Sequence, residues 1–262
     1  MLLHAPADSE IPPGPHGVSI RRGRALLTAT RDSLPGYVGN SLRCMSCHLD
    51  EGRRANAAPL VGAFVRYPAY MPRSGRVATI EDRINGCFRR SMNGRALPAD
   101  GRDVRDIVAY LAFLSRGVPV GATLEGQGFA RITPLTPDTA RGEAIYSATC
   151  ARCHGADGQG TVVAPPVWGP RSFNIGAGMA RLRTAASFIR HNMPFDRPGS
   201  LTDQQAFDVA AYVTSRPRPD FPGKENDWPN GDAPPDAAYP TRAAAKTAVA
   251  PNAARTPGPP AP

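Results

Sequence analysis

The chain has 262 residues, 41% of them apolar, with 26 glycines, 29 prolines and a formal net charge of +9. That supplies one or two buried cores and a large share of loop, but no apolar run approaches the ~20 residues of a membrane span. A basic chain invites nucleic acid as a partner, yet no recognition motif accompanies the charge, and that class is set aside.

Residues 1–16 read as an N-terminal extension. Their start, MLLHAPADSEIPPG, has neither a basic n-region nor an apolar h-region, so it is not a signal peptide as written. A helix is predicted through Arg22-Gly23-Arg24-Ala25-Leu26-Leu27, followed by the cassette Cys44-Met45-Ser46-Cys47-His48. Further on, Thr79 with Asp82 three residues later marks a helix N-terminus, and Gly94 is its stop. The segment between them, RINGCFRRSMNG, holds the odd fifth cysteine, Cys87. Val104, Ile107, Val108, Leu111 and Leu114 then recur at helical spacing. A linker rich in Gly, Val and Thr follows near residues 117–134.

The pattern then repeats. Arg141-Gly142-Glu143-Ala144-Ile145-Tyr146 precedes a second cassette, Cys150-Ala151-Arg152-Cys153-His154, and Asp208-Val209-Ala210-Ala211-Tyr212 matches Asp106-Ile107-Val108-Ala109-Tyr110. Thr202 and Gln205 form a capping box before the last of these helices. Residues 217–262 hold 12 prolines and 11 alanines, a composition that builds no core. Phe221, Trp228 and Tyr239 are its candidate anchors, expected across the second domain, with disorder beyond about residue 240.

CxxCH is the attachment signature of c-type haem: two thiols form thioethers and the histidine becomes the proximal iron ligand. No second CxxC pairs with either cassette, as a zinc site would need. Two covalent haems are therefore expected, held by Cys44, Cys47 and His48 and by Cys150, Cys153 and His154. The fold class that follows is all-α: two tandem cytochrome c-like domains, each wrapped around one covalent haem. Domain 1 spans residues 17–120 with an active-site haem, domain 2 spans 121–216 with an electron-transfer haem, and the Pro/Ala-rich tail occupies 217–262. Covalent haem attachment in bacteria is export-compartment chemistry, so a periplasmic location is expected, with a signal peptide removed or lying before this start.

The distal ligands follow from the duplication. Met193 lies 39 residues after His154, and 39 residues after His48 is Cys87. Met is the usual sixth ligand of an electron carrier. The rivals are Met71 and Met92 for the first haem, and Met179 and His191 for the second. A thiolate stabilises ferric iron and Met favours ferrous, so electrons should run from the first haem to the second. Arg83, Cys87 and Ser91 fall at i, i+4 and i+8, one stripe carrying a cation, a ligand and a hydroxyl. Arg89 and Arg90 fall off it and read as solvated. The charge is concentrated here too: residues 17–120 hold 17 arginines against eight acids, while residues 121–216 hold nine against seven. Part of that excess will offset the propionates of the first haem, and the rest favours a small oxyanion, which arginine grips with paired hydrogen bonds.

Over roughly residues 35–240 the chain resembles the thiosulfate dehydrogenases, dihaem cytochromes c of the TsdA type. The resemblance rests on Val38-Gly39-Asn40-Ser41-Leu42-Arg43 before CMSCHLDEG, Ala58-Pro59-Leu60-Val61-Gly62, Arg66-Tyr67-Pro68 and RINGCFRRSMNG. It continues in Trp168-Gly169-Pro170, Ser172-Phe173-Asn174 and Asp227-Trp228-Pro229. It implies oxidation of two thiosulfates to tetrathionate, or the reverse, at a haem whose distal cysteine matches Cys87. By the same resemblance Arg73 and Arg83 anchor the substrate, Ser91 assists, and Met193 binds the second iron. The position before that methionine is Lys in some members and can bind the iron; here it is Asn192, which argues against such switching. An external electron acceptor, such as another c-type cytochrome, is implied. The rivals are a dihaem carrier of the cytochrome c4 kind, which would want Met at both distal positions, a SoxA-like subunit that transfers thiosulfate to a carrier protein, and a dihaem peroxidase.

Overall fold

The structure, a computed structural model, describes residues 1–249. Domain 1 is built on α1 (Gly14–Thr28), α2 (Ile80–Arg90) and α3 (Arg102–Leu114); domain 2 on α4 (Thr139–Ile145), α5 (Leu182–Asn192) and α6 (Asp203–Ser215). A two-stranded antiparallel hairpin, β1 (Ala69–Met71) and β2 (Arg76–Ala78), is added to the otherwise helical plan, with Tyr70 opposite Val77. Helix α1 begins inside the stretch read as an N-terminal extension. The rest of that stretch is tied to domain 1, where Asp8 pairs with Arg24 and Arg53. None of the described helices is long and apolar enough to cross a membrane.

The two halves repeat one packing device. Helix α1 crosses α3, and α4 crosses α6, each at a glycine. A Cβ added at Gly23 would meet the Asp106 carbonyl oxygen at 1.9 Å, and one at Gly142 would meet the Asp208 carbonyl oxygen at 2.0 Å. Beside each crossing an arginine of the first helix pairs with that aspartate: Arg22 with Asp106 and Arg141 with Asp208. Burial raises the pKa of both carboxyls, but hydrogen bonds and the arginines more than offset it, leaving both below the ordinary carboxylate value. Gly142→Ala should therefore prise α4 from α6 and destabilise domain 2 by about 1–3 kcal/mol. Differential scanning calorimetry on the holoprotein should show the loss as an earlier transition, and an unchanged melting profile would mean the crossing relaxes freely.

The caps are local. Thr79 Oγ1 accepts from the Asp82 amide at 3.3 Å while the Asp82 carboxylate accepts from the Thr79 amide at 3.1 Å. Thr202 and Gln205 do the same for α6. Acids in the first turn of α2 and arginines in its last turn complement the helix dipole.

The tail departs from its expected course. Its first residues lie on domain 2, where the Pro217 and Pro219 carbonyls accept from the Gly169 and Ile175 amides. It then crosses to domain 1 rather than staying on domain 2. The Trp228 amide donates to the Arg73 carbonyl at 2.8 Å, and Asn230 reaches the Tyr70 hydroxyl at 2.7 Å. Disorder was expected beyond about residue 240, yet Thr241 is buried and a further helix, α7 (Arg242–Val249), follows. The rest of that expectation lies outside the described residues.

Candidate active site

A cavity of about 450 Å³ lies in domain 1, walled largely by apolar side chains from α1, α2, α3 and the loops between them. Cys44, Cys47 and His48 line it, and so do Cys87 of α2 and Ser91, which caps that helix. The His48 ring nitrogen Nδ1 lies 2.6 Å from the Ala58 carbonyl oxygen. As a donor there, Nδ1 carries the proton and leaves Nε2 free for a metal, the orientation a proximal ligand needs. His48 also faces the Cys87 thiol. The donor set and the apolar walls fit a c-type haem.

Three thiols share this cavity and differ sharply. Burial pushes Cys44 and Cys47 up to about 12. Burial acts on Cys87 as well, but Arg83 and His48 outweigh it and bring the thiol down to about 6. The cause is visible: Arg83 Nη1 donates to Cys87 Sγ at 3.0 Å, one helical turn away on α2. Arg83 is in turn raised, first by the Cys87 charge. Arg83, Cys87 and Ser91 thus form one wall, as their spacing predicts.

The far end of α2 is held by domain 2. Asn174 Nδ2 donates to the Arg89 carbonyl at 2.8 Å and the Asn174 amide to the Arg90 carbonyl at 3.2 Å. Asn40 Nδ2 bridges the Ser91 and Ser172 carbonyls. Carbonyls that a helix end leaves without partners are satisfied across the domain boundary, which fixes Ser91 in the cavity wall.

Two arginines differ from their sequence reading. Arg73 was expected to grip substrate beside Arg83, but it does not line the cavity. Its Nη1 donates to the Gly176 carbonyl at 2.6 Å, its Nε lies 3.9 Å from Asp227, and its guanidinium stacks 4.5 Å from the Trp228 ring centroid. Arg90, expected in solvent, makes a two-pronged pair with Asp227 at 2.8 Å on each prong and lies over Phe221. Both serve the strap that the tail lays across domain 1. Arg66, which the sequence showed only as part of a motif, does line the cavity.

Domain 2 repeats the proximal arrangement. His154 Nδ1 lies 2.7 Å from the Pro165 carbonyl oxygen, and burial lowers the imidazole pKa, favouring the neutral form that binds metal. Cys150 packs beside Tyr146, Trp168 and Tyr212, and burial raises its thiol to about 11. Met193 follows α5 and is half-buried with Leu49, Ala57 and Phe188, in a cluster that Met179 shares. His191 is turned to the Ser187 carbonyl. Of the first cavity's rivals, both Met71 and Met92 line it, and Met92 is also buried in the adjoining core. Asn192 donates to the Asn56 carbonyl of domain 1 at 3.1 Å and to the Phe188 carbonyl at 3.2 Å, so its side chain is engaged between the domains.

Comparison with known proteins finds two cytochrome c domains along the chain. Residues 37–120 match the family model "SoxA/TsdA, cytochrome c domain", and residues 137–213 match "Cytochrome C oxidase, cbb3-type, subunit III". The chain is 50% identical over 232 residues to the thiosulfate dehydrogenase of Allochromatium vinosum, covering 84% of this chain and 86% of the relative. It is 47% identical over 241 residues to that of Psychrobacter arcticus, covering 89% and 74%. Among solved structures, thiosulfate dehydrogenase TsdBA from Marichromatium purpuratum superimposes with a TM-score of 0.83 at 40% identity. That match takes in 91% of this chain and 55% of the other, so this chain spans about half of the TsdBA chain. The two cytochrome c domains, each with its CxxCH cassette, account for two c-type haems. With relatives this close over most of its length, the chain belongs to the thiosulfate dehydrogenase family.

Proposed function

We propose that this protein joins two thiosulfates into tetrathionate in the domain 1 cavity and delivers the two electrons to an external acceptor such as another c-type cytochrome, in the periplasm. The observation that carries this reading is the 3.0 Å contact between Arg83 and the depressed Cys87 thiol in a cavity that also holds a CxxCH cassette. A carrier with no substrate has no use for an ionised nucleophile in its haem cavity.

Cys44, Cys47, His48 and Cys87 would hold the first haem, and Cys150, Cys153, His154 and Met193 the second. When bound, the haems supply a one-electron relay in and out, and the first iron a resting seat for the Cys87 thiolate. Thiosulfate is a dianion, and Arg83 draws its sulfonate into the cavity with charge-assisted bonds of roughly 1.5–3 kcal/mol each. Ser91 donates to a sulfonate oxygen. Cys87, kept ionised by Arg83, bonds the sulfane sulfur and carries a covalent S-thiosulfonate. Arg73 acts at one remove in this structure, by fastening the hairpin to domain 2 and the tail.

Purified holoprotein given thiosulfate and ferricyanide should form tetrathionate without any added protein. A SoxA-like transferase would form none without its carrier, and a pure electron carrier would form none at all; either result would overturn the reading. For the second haem, Met193→Gly should abolish the sulfur-to-iron absorption band of ferric haem 2 and leave the domain 1 haem spectrum intact. Survival of that band would move the ligation to Met179 or His191.

A further inference from the structure

Joining two thiosulfates requires seats for two dianions, and Arg83, Cys87 and Ser91 make only one. Three arginines line the cavity: Arg43, Arg66 and Arg83. Arg43 belongs to the cassette side, next to Cys44, with its Nη1 toward the Thr28 carbonyl. Arg66 is different. It ends the short turn Phe64–Arg66 that leads into Tyr67, and Tyr67 stands beside Arg83. By surface area Arg66 is exposed, yet enough protein surrounds it to lower its pKa, and the charge of Arg83 lowers it further. It therefore stands open to the cavity and within electrostatic reach of Arg83. Neither Arg66 nor Arg83 has a carboxylate partner among the described residues, unlike Arg24, Arg53 and Arg90. Two like charges facing one cavity with no protein acid between them suit anions, a propionate of the haem or a substrate sulfonate alike.

The geometry points to Arg66 as the seat of the second thiosulfate, the one that arrives after Cys87 has been loaded. This deepens the proposed function and rests on the covalent role of Cys87. In the first half-reaction the Cys87 thiolate and the sulfane sulfur of one thiosulfate form a sulfur–sulfur bond, with release of two electrons that end on the external acceptor of the proposed function. In the second, the sulfane sulfur of the thiosulfate held by Arg66 attacks the sulfane sulfur carried on Cys87. A new sulfur–sulfur bond forms, the bond to Sγ breaks, its electron pair stays on Sγ as thiolate, and tetrathionate departs. No proton and no electron is exchanged in that half. Arg66 would then lie at the outer sulfonate of tetrathionate and Arg83 at the inner one, so the two cations separate the charges that repel as the bond forms.

The test separates the halves. Holoenzyme is incubated with tetrathionate until intact-mass analysis shows one thiosulfonate on Cys87, excess reagent is removed, and thiosulfate is added. Loss of the adduct and release of tetrathionate are followed by rapid quench. Arg66→Gln should slow this discharge by about 10- to 100-fold at low thiosulfate, the loss of one charge-assisted anion contact. The first haem's spectrum and reduction potential should stay as in the wild type. Arg66→Lys should recover most of the rate, since it keeps the charge. Discharge at the wild-type rate in Arg66→Gln would overturn the assignment; if the haem 1 potential shifted as well, Arg66 would be a propionate partner. A wild type that never forms the adduct sinks the Cys87 reading and this one with it, whereas an adduct that forms and discharges normally in Arg66→Gln sinks this one alone.

Discussion

Cys87→Met should give a protein with a stable, low-spin, reducible first haem and almost no turnover. Met can occupy the same position on α2 and donate a sulfur to iron, so a role confined to ligation would survive the change. It cannot become a thiolate, and it cannot form a reversible bond to a second sulfur. The loss should therefore be at least ~1,000-fold in kcat, about 4 kcal/mol of barrier. Cys87→Gly should abolish turnover too, by a different route, since it leaves neither ligand nor nucleophile. The position of the thiol supports both jobs. It lines the cavity with His48, and the pull of Arg83 and His48 overcomes burial and brings it to about 6. Intact mass after exposure to tetrathionate should show a thiosulfonate adduct on wild type and none on either variant. A Cys87→Met protein with near-native activity would strip Cys87 of its covalent role.

Much of this site was written in local chemistry, and that part is legible in the sequence. The CxxCH cassettes are contiguous. The capping box at Thr79 starts α2, and a helix once started places Arg83, Cys87 and Ser91 on one stripe. The offset of 39 residues from each proximal histidine points to Cys87 because the halves share a plan, seen again in the matched glycine crossings at Gly23 and Gly142. What the sequence hides is set by contacts distant along the chain. Arg73 has the right residue type near the right helix, but Gly176 and the strap at Asp227 and Trp228 claim its guanidinium. Those partners lie more than 100 residues away. Arg90 reads as solvated for the same reason. Arg66 carries no periodic signal because it sits in a short turn, and only the folded chain brings it and Tyr67 near Arg83. The hairpin escapes a helical reading because its strands are three residues each and tethered by the tail. The tail's composition predicts no core of its own, and it has none; its anchors work by docking Trp228 and Asp227 on domain 1.

Arg83→Gln should cost nearly as much as losing the cysteine, and its signature should differ. Arg83 has two tasks: it holds the incoming sulfonate and it keeps Cys87 ionised. Glutamine retains a hydrogen-bond donor of similar reach but carries no charge. The first task predicts a raised KM for thiosulfate, by the loss of a charge-assisted contact worth roughly 1.5–3 kcal/mol. The second predicts a displaced pH profile. Burial by itself raises the thiol, and Arg83 is the largest influence opposing it. Without Arg83 the released thiol has a higher pKa, so the fraction present as thiolate begins to fall at a higher pH as the solution is acidified. The acid limb of kcat/KM should accordingly move upward in Arg83→Gln, while Arg83→Lys should leave it close to the wild-type position and recover part of the rate. The planar fork is lost in the lysine variant, so KM should stay raised there even though the charge is kept. Ionic strength gives an independent reading. Salt should weaken thiosulfate use by the wild type, because screening reduces the attraction between the cavity and a dianion, and this dependence should be shallower in Arg83→Gln. The first haem's ferric spectrum should stay that of a thiolate-ligated iron in both Arg83 variants, since iron competes with the proton for the sulfur. An Arg83→Gln enzyme with wild-type KM, pH limb and salt dependence would reduce the 3.0 Å contact with Cys87 to a helix-surface pair with no part in the chemistry.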